Sequence, residues 1–313
     1  MKVLFVDKNH EILKEKLFAN GFEITEDYTS SKEDIEKKIH AFDGIIIRSR
    51  FPLDSDFLDK AENLKFVGRV GAGLENIDEI AAKAKSIELF NAPEGNRDAV
   101  GEHALGMLLS IMNRFEIADQ EVRNGIWKRE ENRGEEIKGK TVALIGYGNM
   151  GKAFAQRLKG FGAKLICYDI KDNVGDENCR QTHMDEVFET ADILSLHIPQ
   201  TPLTLGLVNK EYIAKFKKPI YFVNTARGKA VVTKDLVGAL KLGKIKAAGL
   251  DVLEFEKSSF ETLHKDDMPK EMQYLISSQN VLLTPHIAGW THESKIKLAE
   301  VIADKIISAF GKS

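Results

Sequence analysis

Two α/β lobes, each a doubly wound parallel sheet, are the architecture predicted by this 313-residue sequence. Three observations point there. The chain exceeds the usual single-domain size, so two domains of about 100–200 residues are expected. Short apolar runs alternate with helical patterns in two separate series, which implies right-handed crossovers between parallel strands. One strand–helix junction reads GYGNMG at 146–151, a G-x-G-x-x-G spacing, and the next apolar run closes on Asp169.

The first series runs KVLFVD then HEILKEKLFANG, FEIT then SKEDIEKKIHAF, GIIIRS then DSDFLDKAENL, KFVGRVG then IDEIAAKAK, and ends on IELFNAP. It predicts one compact α/β lobe made of residues 1–97 plus 287–313. A long helical pattern from Arg97 to Asn124 follows and is expected to connect the lobes. The second series, within 137–286, supplies TVALIG, KLICYD, ADILSLHIP, IYFVNTA, KAAGLDV and NVLLTPH. Such nearly unbroken apolar runs suit parallel strands covered on both faces. They predict a Rossmann domain over residues 98–286. The closing THESKIKLAEVIADKIISAF reads as an amphipathic helix that returns to the first lobe.

Within the glycine junction each position has a physical task. Gly146 takes the tight turn out of the strand, Gly148 lets the backbone approach a pyrophosphate, and Gly151 lets the helix pack closely on the sheet. The helix then presents its N-terminal amides to phosphates. Asp169 suits both ribose hydroxyls and repels a 2′-phosphate, which favours NAD over NADP.

Composition excludes several other classes. Forty-five Lys and Arg against forty-eight Asp and Glu give a net charge of −3, with no basic footprint for nucleic acid or an anionic membrane. No apolar run approaches the roughly 20 residues of a membrane-spanning helix. The N-terminal MKVLFVDKNHEIL has no secretory pattern, so a soluble, cytoplasmic protein is expected. Cys167 and Cys179 lack metal or redox spacing, and His10, His40, His103, His183, His264 and His292 form no ligand pattern, so no metal is expected.

Ligands of open α/β sheets bind beyond the carboxyl ends of the strands, which singles out His197, Arg227, Asp251 with Glu256, and His286. A strand-end Arg, Glu and His downstream of a dinucleotide fingerprint resemble the D-isomer-specific 2-hydroxyacid dehydrogenases. The resemblance spans nearly the whole chain and includes VGRVGAGLENID, NAPEGNRDAVGEH, GYGNMG, SLHIP, NTARG, GLDV and PHIAGW. Within the family the short-type phosphoglycerate dehydrogenases are most similar. The resemblance implies that Arg227 binds the substrate carboxylate and keto oxygen, that Glu256 pairs with the imidazole, and that His286 is the acid and base. It places Ala72, Asn149, Met150, Asp169, His197, Ile198, Pro199, Thr225, Ala226, Asp251 and Ala288 beside the cofactor with the three glycines. Arg227 and His286 border the cofactor as well. It also makes the first lobe, residues 1–97 plus 287–313, a flavodoxin-like substrate domain, and assigns Arg48, Ser49 and the loop Val70, Gly71, Ala72 and Gly73 to substrate. Trp127 resembles a tryptophan that inserts into a partner subunit, so a homodimer is expected.

Elementary chemistry agrees with these roles. Hydride exchange at a carbinol carbon needs a proton at oxygen, which an imidazole both gives and takes. A neighbouring carboxylate stabilises imidazolium, and a guanidinium fork matches a carboxylate. Arg48 and Arg50 flank one loop mouth and suit a phosphate, which makes 3-phosphoglycerate and 3-phosphohydroxypyruvate the first substrate pair, a step of serine biosynthesis. Reduction of glyoxylate or hydroxypyruvate is the alternative, and a non-catalytic NAD-sensing protein on the same scaffold is another. Departures from the family pattern include Gly101-Glu102-His103, Lys257 after Glu256, and a polar insertion over 257–275 that bears on the pocket rim. With the chain ending at Ser313, no regulatory domain for serine feedback is expected.

Overall fold

The computed structural model describes residues 1–256 and 268–311, which fall into two compact units, Met1–Arg97 with Trp290–Ser313, and Asp98–Gly289. The first unit opens with β1 (Lys2–Phe5), α1 (Glu11–Ala19), β2 (Glu23–Glu26) and α2 (Lys32–Glu36). It continues through β3 (Gly44–Ile47), α3 (Ser55–Lys60), β4 (Phe66–Arg69), α4 (Glu79–Ala84) and β5 (Glu88–Phe90). Its five strands pair in parallel in the order β2-β1-β3-β4-β5, the flavodoxin-like arrangement. Central β3 is buried throughout, whereas edge strand β2, EITE, is mostly exposed and its charges discourage pairing with another chain.

Helix α5 (Pro93–Asn113) follows, then α6 (Phe115–Arg123), β6 (Thr141–Ile145), α7 (Asn149–Leu158) and β7 (Lys164–Tyr168). The single long helix expected from Arg97 to Asn124 is therefore two, broken at Arg114. That residue is left-handed, with φ 54°, and its side chain reaches Asn132 and Asn280. Next come β8 (Arg180–Gln181), α8 (Met184–Thr190), β9 (Ile193–Leu196), α9 (Lys210–Ala214), β10 (Ile220–Asn224), α10 (Thr233–Lys241) and β11 (Ile245–Leu250). Helix α11 (Lys270–Ser277) and β12 (Val281–Leu283) complete this unit. Helix α11 begins inside the polar insertion and runs two residues past it, while Lys257 and His264 lie outside the described residues.

The seven strands order β12-β11-β10-β9-β6-β7-β8, all parallel, as a Rossmann sheet extended by one strand. Strands β6, β9 and β10 are buried along their whole length, as their apolar runs require with helices on both faces. Each fully buried Leu, Ile or Phe contributes about 1.5–3 kcal/mol of transfer free energy, and Phe154, Phe222 and Leu144 are wholly inaccessible.

The chain re-enters the first unit at α12 (His292–Phe310), whose start is fixed by a capping box between Thr291 and Ser294. Ala299, Ile302, Ala303 and Ile306 of α12 join Val3, Phe5, Leu13 and Leu17 in one core, so the terminal helix does return to the first lobe.

Candidate active site

Strand order alone brings the second unit's polar residues together. Parallel β10, β11 and β12 are neighbours, with Asn224 opposite Leu250 and Leu250 opposite Leu283. Arg227, Asp251 and His286 therefore follow three adjacent strand ends. On the other side of the sheet, β6 lies between β7 and β9, with Ile145 opposite both Tyr168 and Leu196. The glycine turn, Asp169 and His197 consequently share one edge, where the strand order reverses.

At that edge Gly146 has φ 89°, and a Cβ there would stand 2.5 Å from the His197 carbonyl oxygen. Only glycine meets both conditions. A Cβ on Gly151 would lie 2.4 Å from Gly146 O, so the helix could not seat, whereas one on Gly148 would meet open space. Helices α3, α4, α9 and α12 start at residues whose side chains accept from first-turn amides. By contrast α7 starts at Gly148 without a side-chain cap. Asp169 sits beside it, accepting from Tyr147 N at 2.8 Å and Lys171 N at 3.0 Å. This cradle fits a dinucleotide: the open space beside Gly148 would admit a pyrophosphate, and the helix start, which has no side-chain cap, would offer it free amides. Asn149 and Met150 open that helix.

His197 stacks obliquely on Phe154, its Nε2 2.9 Å from Ser195 Oγ, and burial lowers its imidazole to about 3. It is therefore neutral across the physiological range. Its Nδ1 and the Thr225 hydroxyl are buried with no partner among the described residues, two polar atoms at neighbouring strand ends. Ile198 and Pro199 continue the His197 loop, and Pro199 O accepts from Thr204 Oγ1 at 2.7 Å.

The acid–base pair is formed. His286 Nδ1 lies 2.8 Å from Glu256 Oε2, and Glu256 Oε1 accepts from Leu253 N, so the carboxylate is anchored at both oxygens. His286 itself has φ 55°, in the left-handed region that few non-glycine residues occupy. The turn is held by Asp251, which is 1% exposed. Its Oδ1 accepts from Thr284 Oγ1 at 2.5 Å and Ile287 N at 2.8 Å, and its Oδ2 from Ala288 N at 2.9 Å. Its carbonyl takes His286 N at 2.8 Å. Asp251 and Ala288, expected beside the cofactor, are thus bonded to each other and buried. Asn224 shapes the Arg227 turn, accepting from Ala226 N and donating to Arg227 O. The next residue, Gly228, packs so closely that a Cβ would stand 2.0 Å from Leu253 O, which sets the Arg227 turn directly on the segment that leads to Glu256.

In the first unit Asp7, unremarked in the sequence, gathers the Arg48–Arg50 loop, accepting from the amides of Arg48 at 2.6 Å, Ser49 at 3.2 Å and Arg50 at 3.4 Å. The two arginines then diverge. Arg48 lies over the Trp290 ring at 4.8 Å from its centroid. Arg50 donates to the carbonyls of Val6, Asp27 and Ser30, so its fork is a strut between β1 and the β2–α2 loop, which corrects the expectation that it meets a phosphate. The loop Val70–Gly73 is tied through Gly71 O to Ala92 N and through Ala72 O to Asn91 Nδ2. Arg69 lies against it, its guanidinium 1.7 Å from where a Gly71 Cβ would stand. Sequence reasoning missed both Asp7 and Arg69, although each ends an apolar strand.

Comparison with known proteins follows the same lines. The family described as "D-isomer specific 2-hydroxyacid dehydrogenase, NAD binding domain" matches residues 105–288. The chain is 33% identical over 311 residues to D-3-phosphoglycerate dehydrogenase of Archaeoglobus fulgidus, a match covering 98% of this chain and 57% of that one. It therefore spans little more than half of that relative. It is 35% identical over 289 residues to hydroxypyruvate reductase of Thermotoga maritima, covering 92% of this chain and 91% of the other. Among solved structures, D-lactate dehydrogenase from Aquifex aeolicus complexed with NAD and lactic acid superposes with TM-score 0.81 at 27% identity, covering 99% and 95% of the two chains.

Proposed function

The chain belongs to the D-isomer-specific 2-hydroxyacid dehydrogenase family, and we propose that it is an NAD-dependent oxidoreductase interconverting a small D-2-hydroxy acid and its 2-keto acid. The substrate pair we favour is 3-phosphoglycerate and 3-phosphohydroxypyruvate, which puts the reaction in serine biosynthesis. The observation that carries this reading is the 2.8 Å pair between Glu256 and His286, in the same unit as the glycine cradle.

The pairing dictates how the proton moves. Glu256 holds His286 Nδ1, so exchange with the substrate oxygen falls to Nε2. In ketone reduction the imidazolium gives its Nε2 proton to the forming alkoxide; in alcohol oxidation the neutral ring takes it back. Glu256 stabilises the charged form in both directions. Arg227 grips the substrate carboxylate with its planar fork and polarises the keto oxygen. NAD, when bound in the Gly146–Gly151 cradle, supplies the hydride donor or acceptor. Asp169 would hold the adenosine ribose hydroxyls, and the His197–Pro199 loop, Thr225 and Ala226 would border the nucleotide.

In the first unit, held as the substrate domain, Arg48, Ser49 and Val70–Gly73 are assigned to substrate, with Arg48 as phosphate reader. Helix α6 buries no residue, and Phe115, Val122, Ile126 and Trp127 all stand exposed along one short stretch, which supports assembly as a homodimer. Among the described residues no helix is long and apolar enough to cross a membrane and no cluster suits a metal ion. The reading is of a cytoplasmic enzyme without nucleic-acid or membrane partners. Hydroxypyruvate or glyoxylate reduction is the second reading, favoured by the engagement of Arg50 with backbone carbonyls, which leaves one arginine of that pair for a phosphate.

Following NADH consumption with D- and L-specific product analysis over phosphorylated and plain 2-keto acids tests both. Phosphohydroxypyruvate should be the best substrate, and Arg48→Ala should weaken its use while sparing glyoxylate. Equal losses would remove the phosphate role. Tight NADH binding without turnover on any 2-keto acid would make the chain a nucleotide-sensing protein instead.

A further inference from the structure

We propose that His103, on a helix far in sequence from the acid–base pair, is a positioning residue for His286 and acts through Thr284 and Asp251. The inference rests on the reading of His286 as the proton donor and acceptor. His103 lies on α5, and its Nε2 is 3.1 Å from Thr284 Oγ1 and 3.5 Å from Asp251 Oδ1. The direction of these bonds follows from valence. Asp251 is an acceptor, so the Thr284 hydroxyl proton is committed to Oδ1 at 2.5 Å. Thr284 Oγ1 then has only lone pairs to offer, and His103 must donate through an Nε2–H. A proton at Nε2 is thereby specified on α5, outside the turn it supports.

What this chain of bonds holds is the conformation of His286. The residue is left-handed, at φ 55°, and such a backbone persists only where its surroundings over-determine it. Asp251 brackets it, taking His286 N on its carbonyl and the amides of Ile287 and Ala288 on its carboxylate. Thr284 and His103 close the bracket from the upstream side. Removing the His103 donor leaves the Thr284 hydroxyl oxygen short of one partner, and the turn gains freedom. The imidazole then loses alignment toward the reacting carbonyl. The glycine cradle and Arg227 sit on other turns, so binding of nucleotide and acid is preserved.

His103→Ala, His103→Gln and Thr284→Val in the full chain provide the test. Gln carries an amide donor to about the depth of Nε2, and Ala does not. His103→Ala should lower kcat for 2-keto acid reduction at least about tenfold, in line with the sensitivity of chemistry to displacements near 1 Å. KM for the keto acid and the dissociation constant for NADH should stay within about twofold. His103→Gln should restore most of kcat. Thr284→Val should resemble His103→Ala, and the double variant should be no worse than either single one, since both cut one relay. Imidazole 15N spectra of the protein without nucleotide give a second readout. His103 should carry its proton at Nε2, and the His286 ring signals should move in His103→Ala and return in His103→Gln. Wild-type kcat and unmoved His286 signals in His103→Ala would overturn the proposal, as would a His103→Gln variant as impaired as the alanine one. A wild-type chain inert toward every 2-keto acid would defeat the proposed function instead, and the 15N arm would still decide whether His103 positions His286.

Discussion

The two turns that frame the candidate site are built on opposite principles. The turn from β6 into α7 works by absent side chains. At Gly146, Gly148 and Gly151 the backbone must bend, be approached or be packed against, and any Cβ on the first or third would collide with a carbonyl at 2.5 Å or less. The turn after β12 works by added side chains. An imidazole occupies a backbone conformation that favours glycine, and Asp251 and Glu256 hold it there from elsewhere in the chain, with Thr284 joining them locally. Shape for a ligand is thus encoded locally, while alignment of a reacting group is encoded at long range.

Each turn can lose its function while the other keeps its own. His286→Ala should cut 2-keto acid reduction by about 10²–10⁴-fold, the usual worth of a positioned acid–base group, with NADH binding by fluorescence titration intact. Loss of both together would mean that the turns are not independent. Gly146→Ala is the reciprocal variant. It should weaken NADH binding at least about tenfold and lower stability by about 1–3 kcal/mol, the range for an enforced backbone strain. Normal affinity would show that the turn relaxes freely.

Smaller effects sharpen the picture. Glu256→Gln should lower kcat about tenfold while KM for the keto acid and NADH affinity hold, because the imidazole loses the carboxylate that orients it at Nδ1. An unchanged kcat would take Glu256 out of that role. His197 tests the cradle's far wall. Burial lowers its imidazole to about 3, so between there and its unfolded value of about 6.5 the native protein binds fewer protons than the unfolded chain. Its neutral-state contribution is complete above about 6.5 and is lost as pH falls toward 3. Melting temperatures of His197→Asn without nucleotide should therefore fall less steeply between pH 7 and pH 4.5 than those of the wild type. Parallel curves would show that His197 is not the group that resists protonation.

The same contrast explains what could be read from residues alone. Both sheets, the return of the last helix and the glycine turn rest on local periodicity and spacing, which a sequence displays. Two-residue β8 is too short to carry any periodicity, and the break at Arg114 lies inside an unbroken helical pattern, so neither announces itself. Arg50 shows how an identity can mislead. A guanidinium at a strand end has the same letter whether its fork faces a ligand or three carbonyls, and only the path of β1 and the β2–α2 loop decides between them. Asp7, Asp251 and His103 act on partners 41, 33 and 181 residues away, separations over which a sequence has no period to reveal.

The left-handed backbone at His286 also bears on how this protein can be improved. Glycine would be more at ease there, and substitutions that relieve strain at a functional turn can raise stability at the cost of activity. Selection for thermal endurance alone would drift toward those replacements and enrich sturdy but inert molecules. Any laboratory evolution of this scaffold has to score turnover in every round, or its winners will have traded away the proton.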